Sequence, residues 1–307
     1  MRIAILGATS QIAVDLIRSM IDAGNYELYL YSRRPTALKI LLSTKANAVV
    51  RHNGDFASFG SGIEFNALLN FVGLSNPAAV AQVGAEIFDI TYRFDELALS
   101  YIRKHIQCRY IFLSSGAVYG SNFLKPADRY TPANFPINNL TPQDWYGAAK
   151  LYAECRHRSF ADLQIIDVRV FNYFSASQDL TTKFLICDII RAVRGRATLR
   201  TSAENIIRDY LHPSDFYRLI EAALKSPSIN VAVDGYSRST ISKFTLLKIM
   251  KDQFGLNFEL VDVLAGVNST GNKPNYYSLN TRASELGYKP ALTSIDGILR
   301  EAALVLK

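Results

Sequence analysis

The sequence predicts an α/β fold: a doubly wound parallel sheet with a smaller, interleaved C-terminal lobe. Short apolar segments of the buried-strand type alternate with segments whose apolar residues repeat at helical spacing. Strands that alternate with helices favour a parallel sheet covered by helices on both faces. The pattern changes after about residue 172, so the second lobe is expected mainly in the rest of the chain.

These patterns give the expected elements in chain order. Strands are expected at Arg2–Leu6, 26–32, 48–53, 65–73, 109–115, 164–171 and 229–235. Helices are expected directly after the first strand, at 85–105, 181–194, 214–225 and 242–254, and from about residue 294. The first lobe would then comprise residues 1–172 plus about 208–235, and the second lobe about 173–207 and 236–307.

Composition and charge argue against several classes of protein. The 307 residues are 49% apolar and 20% charged, with a net charge of +7. Basic residues come in pairs and triplets, so a nucleic-acid partner is not expected, and anionic small molecules explain the surplus equally well. Cys108, Cys155 and Cys187 are far apart and no signal peptide opens the chain, which indicates free thiols in the cytoplasm. Isolated histidines and the lack of a membrane-length apolar run argue against a metal site and a membrane anchor.

The segment LGATSQIA joins the first strand to the first helix, where a helix N-terminus can face a pyrophosphate in a Rossmann-type fold. Gly7 would allow the tight turn, and the small Ser10 and Ala13 would let backbone and helix approach closely. Only the first of the three usual glycines is kept, and a turn of small residues without a ligand is the alternative. The candidate cofactor-binding residues of this segment are Gly7, Thr9, Ser10, Gln11 and Ile12.

The end of the second strand indicates which dinucleotide would bind. Sites that prefer NAD(H) carry an acidic residue there, whereas this chain has Ser32, Arg33 and Arg34. Guanidinium groups bind a 2′-phosphate through paired hydrogen bonds, so NADP(H) is favoured over NAD(H), with a solvated basic loop as the alternative. Further candidates for the cofactor follow the third and fourth strands: Asp55 for the adenine amine, Phe56 beside the ring, Phe71 and Gly73.

Three side chains form a candidate catalytic set. Ser115 ends the fifth strand, at the sheet edge where ligands bind in such folds. Tyr146 and Lys150 are four residues apart and would share one face of a helix. An ammonium group lowers the pKa of a nearby phenol and can hold ribose hydroxyls, and a serine hydroxyl can orient the substrate oxygen. The same spacing also occurs on ordinary helix surfaces, which is the alternative.

At this point the chain resembles the extended short-chain dehydrogenases/reductases, in the branch of nucleotide-sugar epimerases and dehydratases. The resemblance covers nearly the whole length and depends on six motifs in order: LGATSQIA, SSGAVYG, Y-x-x-x-K, RVFN, RDYLHPSD and TRASELGYKP. It implies that Ser115 is catalytic and that Asn172 and Arg208 hold the nucleotide diphosphate of the substrate, with Lys273 as a weaker candidate. It also implies a homodimer.

Two features of the sequence predict the reaction: one departure from the dehydratases and one similarity to a group of reductases. Dehydratases carry Asp-Glu directly after the catalytic hydroxyl residue, where this chain has Gly116-Ala117, so dehydration is disfavoured. The tail NKPNYYSLNT is similar to the RP-x-NS-x-LNT of dTDP-4-dehydrorhamnose reductases. We therefore expect an NADPH-dependent reductase of a nucleotide-activated 4-keto-6-deoxyhexose, in the synthesis of deoxysugar precursors of polysaccharides. An NAD-dependent 4-epimerase and a non-catalytic dinucleotide sensor or scaffold are the alternatives.

Overall fold

A computed structural model describes residues 1–41, 48–60, 62–73, 77–262 and 273–306. Most of the polar loop AGVNSTGNKPN, at 265–275, lies outside these residues. The strands are β1 (Arg2–Leu6), β2 (Glu27–Tyr31), β3 (Val50–Gly54), β4 (Ala67–Asn70), β5 (Arg109–Ser115), β6 (Ile165–Val170), β7 (Asn172–Tyr173), β8 (Thr198–Ser202), β9 (Ile207–Arg208), β10 (Tyr210–Leu211), β11 (Asn230–Asp234), β12 (Ile241–Ser242), β13 (Asn257–Val261) and β14 (Asn275–Tyr276). The α-helices are α1 (Gln11–Ala23), α2 (Pro35–Leu41), α3 (Pro77–Val83), α4 (Glu86–Ile102), α5 (Pro142–Arg158), α6 (Leu185–Gly195), α7 (Pro213–Lys225), α8 (Lys243–Phe254) and α9 (Ser294–Val305).

Seven strands form one parallel sheet in the order β3-β2-β1-β4-β5-β6-β11. β1 and β4 are buried almost throughout, because helices cover both faces of the sheet. β1 pairs in parallel with β2 on one side and with β4 on the other. The chain therefore leaves β1 in both directions, and the resulting crevice at the carboxyl ends of β1 and β4 is the usual ligand position in doubly wound sheets.

Two hydrophobic cores cover the faces of this sheet, and a third lies in the second lobe. α1 and α7 pack on one face, and α4 and α5 pack on the other. The third core consists mainly of residues of α6, α8 and α9, beside the short strand groups β12-β9-β14 and β13-β8. The fold class predicted from the sequence is confirmed, and the residue boundaries of the two lobes stay a prediction.

Several elements are shorter than expected, and side-chain hydrogen bonds explain two of the differences. β4 ends at Asn70 because the Asn70 side chain accepts the Val72 amide hydrogen bond at 3.0 Å. α6 begins at Leu185, after the expected start at 181, because Asp179 binds the amide and the hydroxyl of Thr181 in a local turn.

Candidate active site

The turn between β1 and α1 is so tight that the position of Gly7 has no room for a side chain. Gly7 has a φ of +75°, and a Cβ there would lie 2.8 Å from both the Phe71 carbonyl carbon and the Val72 nitrogen. Ser10 caps α1, since its Oγ accepts a hydrogen bond from the Ala13 amide at 3.4 Å. The N-terminus of α1 consequently opens at the carboxyl edge of the sheet, as pyrophosphate binding requires.

The other side chains of this turn are partly used for packing. Thr9 is partly buried, and Ile12 packs against the core under α1. Gln11 donates a hydrogen bond from Nε2 to the Ser175 hydroxyl at 2.8 Å. Gln11 therefore ties the start of α1 to the segment that leads into the second lobe.

The end of β2 carries an unusual hydroxyl. Ser32 is 1% exposed, and its Oγ has no hydrogen-bond partner among the described residues. A buried hydroxyl without a partner is costly, so a ligand oxygen at this position would be favourable. Arg33 and Arg34 follow it and are both exposed. The structure thus places an unsatisfied hydroxyl and two solvent-facing guanidinium groups side by side, before α2.

Asp55 and Phe56 follow β3 in a short 3₁₀ helix, Phe56–Ser58. Asp55 is exposed and caps this helix, because one of its carboxylate oxygens accepts the Ser58 amide hydrogen bond at 3.2 Å. The Phe56 ring packs against Phe94 of α4, with ring centroids 4.5 Å apart. Both side chains therefore make structural contacts in the described chain, in addition to the contacts with an adenine ring that the sequence predicts.

The end of β4 connects the cofactor turn to the catalytic lysine. The Phe71 side chain is buried in the core, 6.1 Å edge-on from Phe216, so only its backbone borders the turn at Gly7. A Cβ on Gly73 would lie 3.4 Å from Lys150 Nζ. This close approach places Lys150, the predicted catalytic lysine, beside Gly73, a predicted cofactor-binding residue.

The predicted catalytic hydroxyls converge at the carboxyl end of β5. Ser115 is buried and caps the 3₁₀ helix Gly116–Tyr119. Its Oγ lies 3.4 Å from the Tyr276 hydroxyl, and Ser115 is close enough to the Tyr146 phenol to lower the pKa of that group. Three hydroxyl groups from α5, β5 and β14 therefore meet at one point. The prediction that Ser115 and Tyr146 come together agrees with this geometry.

Tyr276 is a member of this group that the sequence reasoning missed. It lies on β14, is 6% exposed, and is 161 residues from Ser115 along the chain. Its ring packs edge-on against Phe123, with centroids 4.8 Å apart, and at 5.2 Å from Phe171. Its one sequence signal is its place in the NKPNYYSLNT segment, which indicates the class of reaction and the candidate Lys273 but does not single out Tyr276.

Lys150 lies beneath this group in an almost fully buried position. Its Nζ donates to the Leu113 carbonyl oxygen at 2.8 Å and lies 4.2 Å from the centroid of the Phe112 ring. Burial lowers the pKa of Lys150 to about 8, although the carboxylates of Asp95, Glu154 and Asp167 oppose the change. The ammonium is thus poised to gain or lose its proton near neutral pH.

The effect of Lys150 on Tyr146 differs from the one expected. Burial raises the pKa of Tyr146, the nearby Tyr276 raises it further, and the hydrogen bond with Ser115 partly opposes this. Desolvation is therefore the largest influence on the pKa of Tyr146. A phenol with a raised pKa stays protonated at neutral pH but is a weaker acid, so the expected lowering of this pKa by Lys150 is not seen.

Glycines bring α5 against the catalytic serine. A Cβ on Gly147 would lie 2.4 Å from the Ala117 carbonyl oxygen, and one on Gly116 would lie 2.4 Å from the Phe171 ring. α5 begins with a capping box between Thr141 and Asp144, and Pro142 starts its first turn. These features set the start and the packing distance of the helix that carries Tyr146 and Lys150.

The predicted substrate residues lie around β9 and β14. Asn172 donates from Nδ2 to the carbonyl oxygens of Asp209 and Tyr276, at 3.1 and 3.3 Å. Arg208 is 6% exposed and donates to the Lys273 carbonyl oxygen at 2.7 Å. Lys273 Nζ lies 4.9 Å from the Tyr276 ring centroid, and burial lowers the pKa of Lys273 to about 8, with the neighbouring Arg208 lowering it further. Two cations therefore border the tyrosine that touches Ser115.

The described residues contain neither a candidate metal site nor a membrane-spanning helix. No group of three or more His, Cys, Asp and Glu side chains in this part of the chain is arranged to hold a metal ion. Over the same residues, no helix has both the length and the apolar composition that crossing a membrane requires.

The sheet order, the glycine turn and the Ser115, Tyr146 and Lys150 group define a Rossmann-type protein of the short-chain dehydrogenase/reductase class. Residues 3–234 match the model of the "NAD dependent epimerase/dehydratase family", and the chain belongs to that family. This confirms the resemblance predicted from the motifs, and membership assigns the chain as an enzyme, as expected.

Relatives of known function and known structure agree with this assignment. A curated relative, UDP-glucose 4-epimerase 2 of Oryza sativa subsp. japonica, is 26% identical over 275 residues, which are 82% of this chain and 65% of the relative. The chain therefore spans slightly less than two thirds of that protein's length. UDP-glucose 4-epimerase of Thermotoga maritima has a TM-score of 0.79 at 18% identity, covering 99% of this chain and 98% of its own. A dTDP-glucose 4,6-dehydratase of Bacillus anthracis has a TM-score of 0.76 at 16% identity, with 99% and 96% covered. These structures share the fold.

Membership implies a nicotinamide dinucleotide, and three features of this chain fit one. The Gly7 turn has no space for a Cβ at the start of α1. The buried Ser32 hydroxyl lacks a partner among the described residues at the end of β2. Gly73 borders the ammonium of Lys150. A dinucleotide laid along these points would extend from the end of β2, past α1, to the catalytic group.

Proposed function

We propose that this chain is an NADPH-dependent reductase that acts on a nucleotide-diphosphate 4-keto-6-deoxyhexose. The observation that carries the choice of cofactor is the end of β2, where Ser32 is buried without a partner and Arg33 and Arg34 face solvent. An adenosine ribose phosphorylated at its 2′ position would meet two guanidinium groups and no carboxylate there. A reductase consumes NADPH in a net reduction, whereas an epimerase regenerates its cofactor in every cycle.

The catalytic residues would divide the work at the sugar carbonyl. A bound nicotinamide supplies the hydride that reduces C4. Ser115, with the Tyr276 hydroxyl 3.4 Å away, would orient the carbonyl oxygen. Tyr146 would give its proton to that oxygen as negative charge develops on it. Lys150 would hold ribose hydroxyls and, while charged, would stabilise the phenolate left by the proton transfer.

The substrate would lie where the two predicted lobes meet, beside β9 and β14. Arg208 and Lys273 are the two cations beside the Tyr276 ring, and we propose that they attract the diphosphate. Asn172 holds β14 through the Tyr276 carbonyl oxygen and would position the same wall. Gly116 and Ala117, with no titratable group, leave the site without the acid and base that dehydration at C5 and C6 needs. We further propose a cytoplasmic homodimer that supplies deoxysugar precursors of polysaccharides.

A second candidate is 4-epimerisation, which the curated relative UDP-glucose 4-epimerase 2 favours. The same serine, tyrosine and lysine would serve both directions of hydride transfer. An epimerase would retain its dinucleotide through purification, whereas a reductase would exchange it with solution.

The test is oxidation of NADPH and of NADH with a panel of nucleotide 4-keto-6-deoxyhexoses that differ in base. We expect faster oxidation of NADPH, and we expect the double variant Arg33→Ala, Arg34→Ala to raise KM for NADPH about 10-fold or more, with little change for NADH. Arg300→Ala, which removes one exposed arginine on α9, is the matched control.

Two results would decide against the reductase. The first is that NADPH is not consumed with any substrate of the panel. The second is that denatured protein releases stoichiometric NAD and the intact protein interconverts 4-hydroxyl epimers, which would establish the epimerase. If neither activity is found but the dinucleotide still binds, the non-catalytic sensor that the sequence also permits would remain.

A further inference from the structure

A cavity of about 310 Å³ lies beside the edge strand β11. It is lined by β6, β11, α5, the 3₁₀ helix Gly116–Tyr119 and the segments around residues 129–133 and 280–282. Ser115, Tyr146 and Lys150 are not among its lining residues. A neighbouring cavity of about 340 Å³ shares Arg158 and Asn230 with it.

Four arginines line the cavity, and two of them are the outer members of buried ion pairs. Arg158 donates to Asp167 at 2.6 Å, and the exposed side-chain fractions are 35% and 0%. Arg169 donates from Nε to Glu154 at 3.0 Å, with exposed fractions of 17% and 5%. In both pairs the guanidinium is more accessible than the carboxylate. The cavity wall therefore presents more positive charge than equal numbers of paired arginines and carboxylates would suggest.

The other two arginines share a single carboxylate. Arg129 and Arg282 each lie 3.4 Å from Glu285, and all three side chains are exposed. Burial lowers the pKa of Arg158, Asp167 and Glu154 oppose this, and the cations Arg169 and Arg282 lower it further. The last effect shows that the guanidinium groups of Arg169 and Arg282 are each close enough to Arg158 to repel it. An anion between them would relieve that repulsion.

Asn230 adds a second, independent feature to the wall. Its Nδ2 donates to the carbonyl oxygens of His157 and Phe160, both at 2.8 Å, which fixes the orientation of the amide. Its Oδ1 is then buried without a hydrogen-bond partner among the described residues. A ligand with a hydroxyl or amine group could satisfy this acceptor. An inorganic anion alone would not.

We propose that this cavity is a second ligand site, which binds a small phosphorylated metabolite through Arg158 and Arg282 and through a donor to Asn230. Guanidinium groups match the oxygens of a phosphate monoester in pairs, and the ligand's hydroxyl would reach Oδ1 of the amide. The volume suits a sugar phosphate or a nucleoside monophosphate. Arg169, already bonded to Glu154 and to the Tyr119 hydroxyl, would contribute charge without a direct bond.

Isothermal titration calorimetry with glucose 1-phosphate, and separately with UMP, tests the proposal. The variants are Arg282→Gln at the cavity, Lys273→Gln at the catalytic cleft, and Arg300→Gln as the control for one lost surface charge. We expect Arg282→Gln to weaken binding of at least one probe about 10-fold, and the other two variants to leave that binding within about twofold of wild type. Arg282 is exposed on a short 3₁₀ helix, and melting curves would verify that each variant is folded.

Three outcomes would overturn the proposal. Absence of saturable binding by both probes would remove the site. Loss of binding in Lys273→Gln but not in Arg282→Gln would place the ligand in the catalytic cleft. Equal weakening in Arg282→Gln and Arg300→Gln would show a general effect of surface charge. None of these results depends on whether the chain proves to be a reductase or an epimerase.

Discussion

Single residues set the distance between α5 and the catalytic serine. Gly147 is the clearest case, because a Cβ there would lie 2.4 Å from the Ala117 carbonyl oxygen, a backbone atom that cannot move alone. We expect Gly147→Ala to displace α5, to lower the free energy of unfolding by about 1–3 kcal/mol, and to reduce turnover more than 10-fold, since Tyr146 is the adjacent residue. Chemical denaturation and steady-state kinetics would measure the two effects.

A second glycine provides the control for that substitution. Gly195 ends α6, and a Cβ there meets nothing within 4 Å. Gly195→Ala should therefore leave both stability and turnover close to wild type. If Gly147→Ala behaves in the same way, the close packing of α5 is not required for the catalytic geometry.

The lysine gives a prediction about pH. Burial lowers the pKa of Lys150 to about 8, so its ammonium loses the proton as the pH rises through that value. Because the proposed mechanism needs the charged form, kcat/KM, which reports on the free enzyme, should fall above pH about 8, about tenfold per unit. Lys150→Arg keeps the charge and should abolish this limb of the profile, at whatever residual rate it retains. A limb that persists unchanged in that variant would belong to another group.

At the level of elements, a buried polar network joins α4, α5 and β6 beneath the catalytic group. His157 is fully buried, and its two ring nitrogens lie 2.6 Å from Asp167 and 2.7 Å from Asp95. Asp95 also accepts a hydrogen bond from the Tyr110 hydroxyl at 3.0 Å, and Tyr110 accepts one from Asn70, the residue that ends β4. A chain of hydrogen bonds therefore links the helix pair to the cofactor side of the sheet.

This network predicts how stability depends on pH. Burial lowers the pKa of His157, but the charges and hydrogen bonds of Asp167 and Asp95 outweigh burial and raise it to about 9. The folded-state value exceeds the unfolded one, so the stabilisation is complete below pH about 6.5 and is lost as the pH rises towards 9. The expected loss is roughly 3 kcal/mol over that window.

Urea unfolding at pH values from 6 to 9 would measure the effect. Between pH 6.5 and 8 the wild type should lose stability faster than His157→Asn, which cannot carry the proton. Lys150 acts in the opposite direction and only above pH about 8, because its folded-state pKa is lowered. Parallel curves for wild type and variant would show that the folded state does not raise the pKa of His157.

The same elements show what local sequence patterns do and do not predict. Alternating apolar segments were sufficient for the parallel sheet, because each buried strand and each amphipathic helix carries its own period. The ends of elements were less accurate: β4 stops at Asn70 and α6 starts late because side chains of Asn70 and Asp179 take backbone hydrogen bonds. Such competition depends on a side-chain conformation, which composition and periodicity do not contain.

For the molecule as a whole, local sequence patterns do not predict contacts between distant parts of the chain. Ser115, Tyr146 and Lys150 were predicted because each belongs to a short motif with a fixed place on a strand or helix. Tyr276 was missed because it reaches Ser115 only when β14 of the second lobe folds over the first. The arginine-lined cavity was missed for the same reason, since its walls come from six separate segments.

The two lobes are also joined by a buried carboxylate. Asp15 of α1 is 8% exposed and accepts hydrogen bonds from the hydroxyls of Tyr173, Ser175 and Ser177, at 2.7 to 2.9 Å. The Ser175 hydroxyl in turn accepts a hydrogen bond from Gln11, in the first turn of α1. The helix whose N-terminus would face the dinucleotide is thus fixed to the segment that leads into the substrate side.

Removing this carboxylate should affect stability and cofactor binding together. Asp15→Ala leaves three hydroxyl groups without their acceptor, so we expect the free energy of unfolding to fall by about 2–4 kcal/mol, and we expect dinucleotide affinity to fall as α1 loses its tether. Asp252→Ala, on the exposed face of α8, removes the same charge and should change neither quantity. Urea unfolding and fluorescence titration with NADPH would measure both. If Asp15→Ala lowers stability but leaves affinity unchanged, the carboxylate holds the lobes together without positioning the cofactor helix.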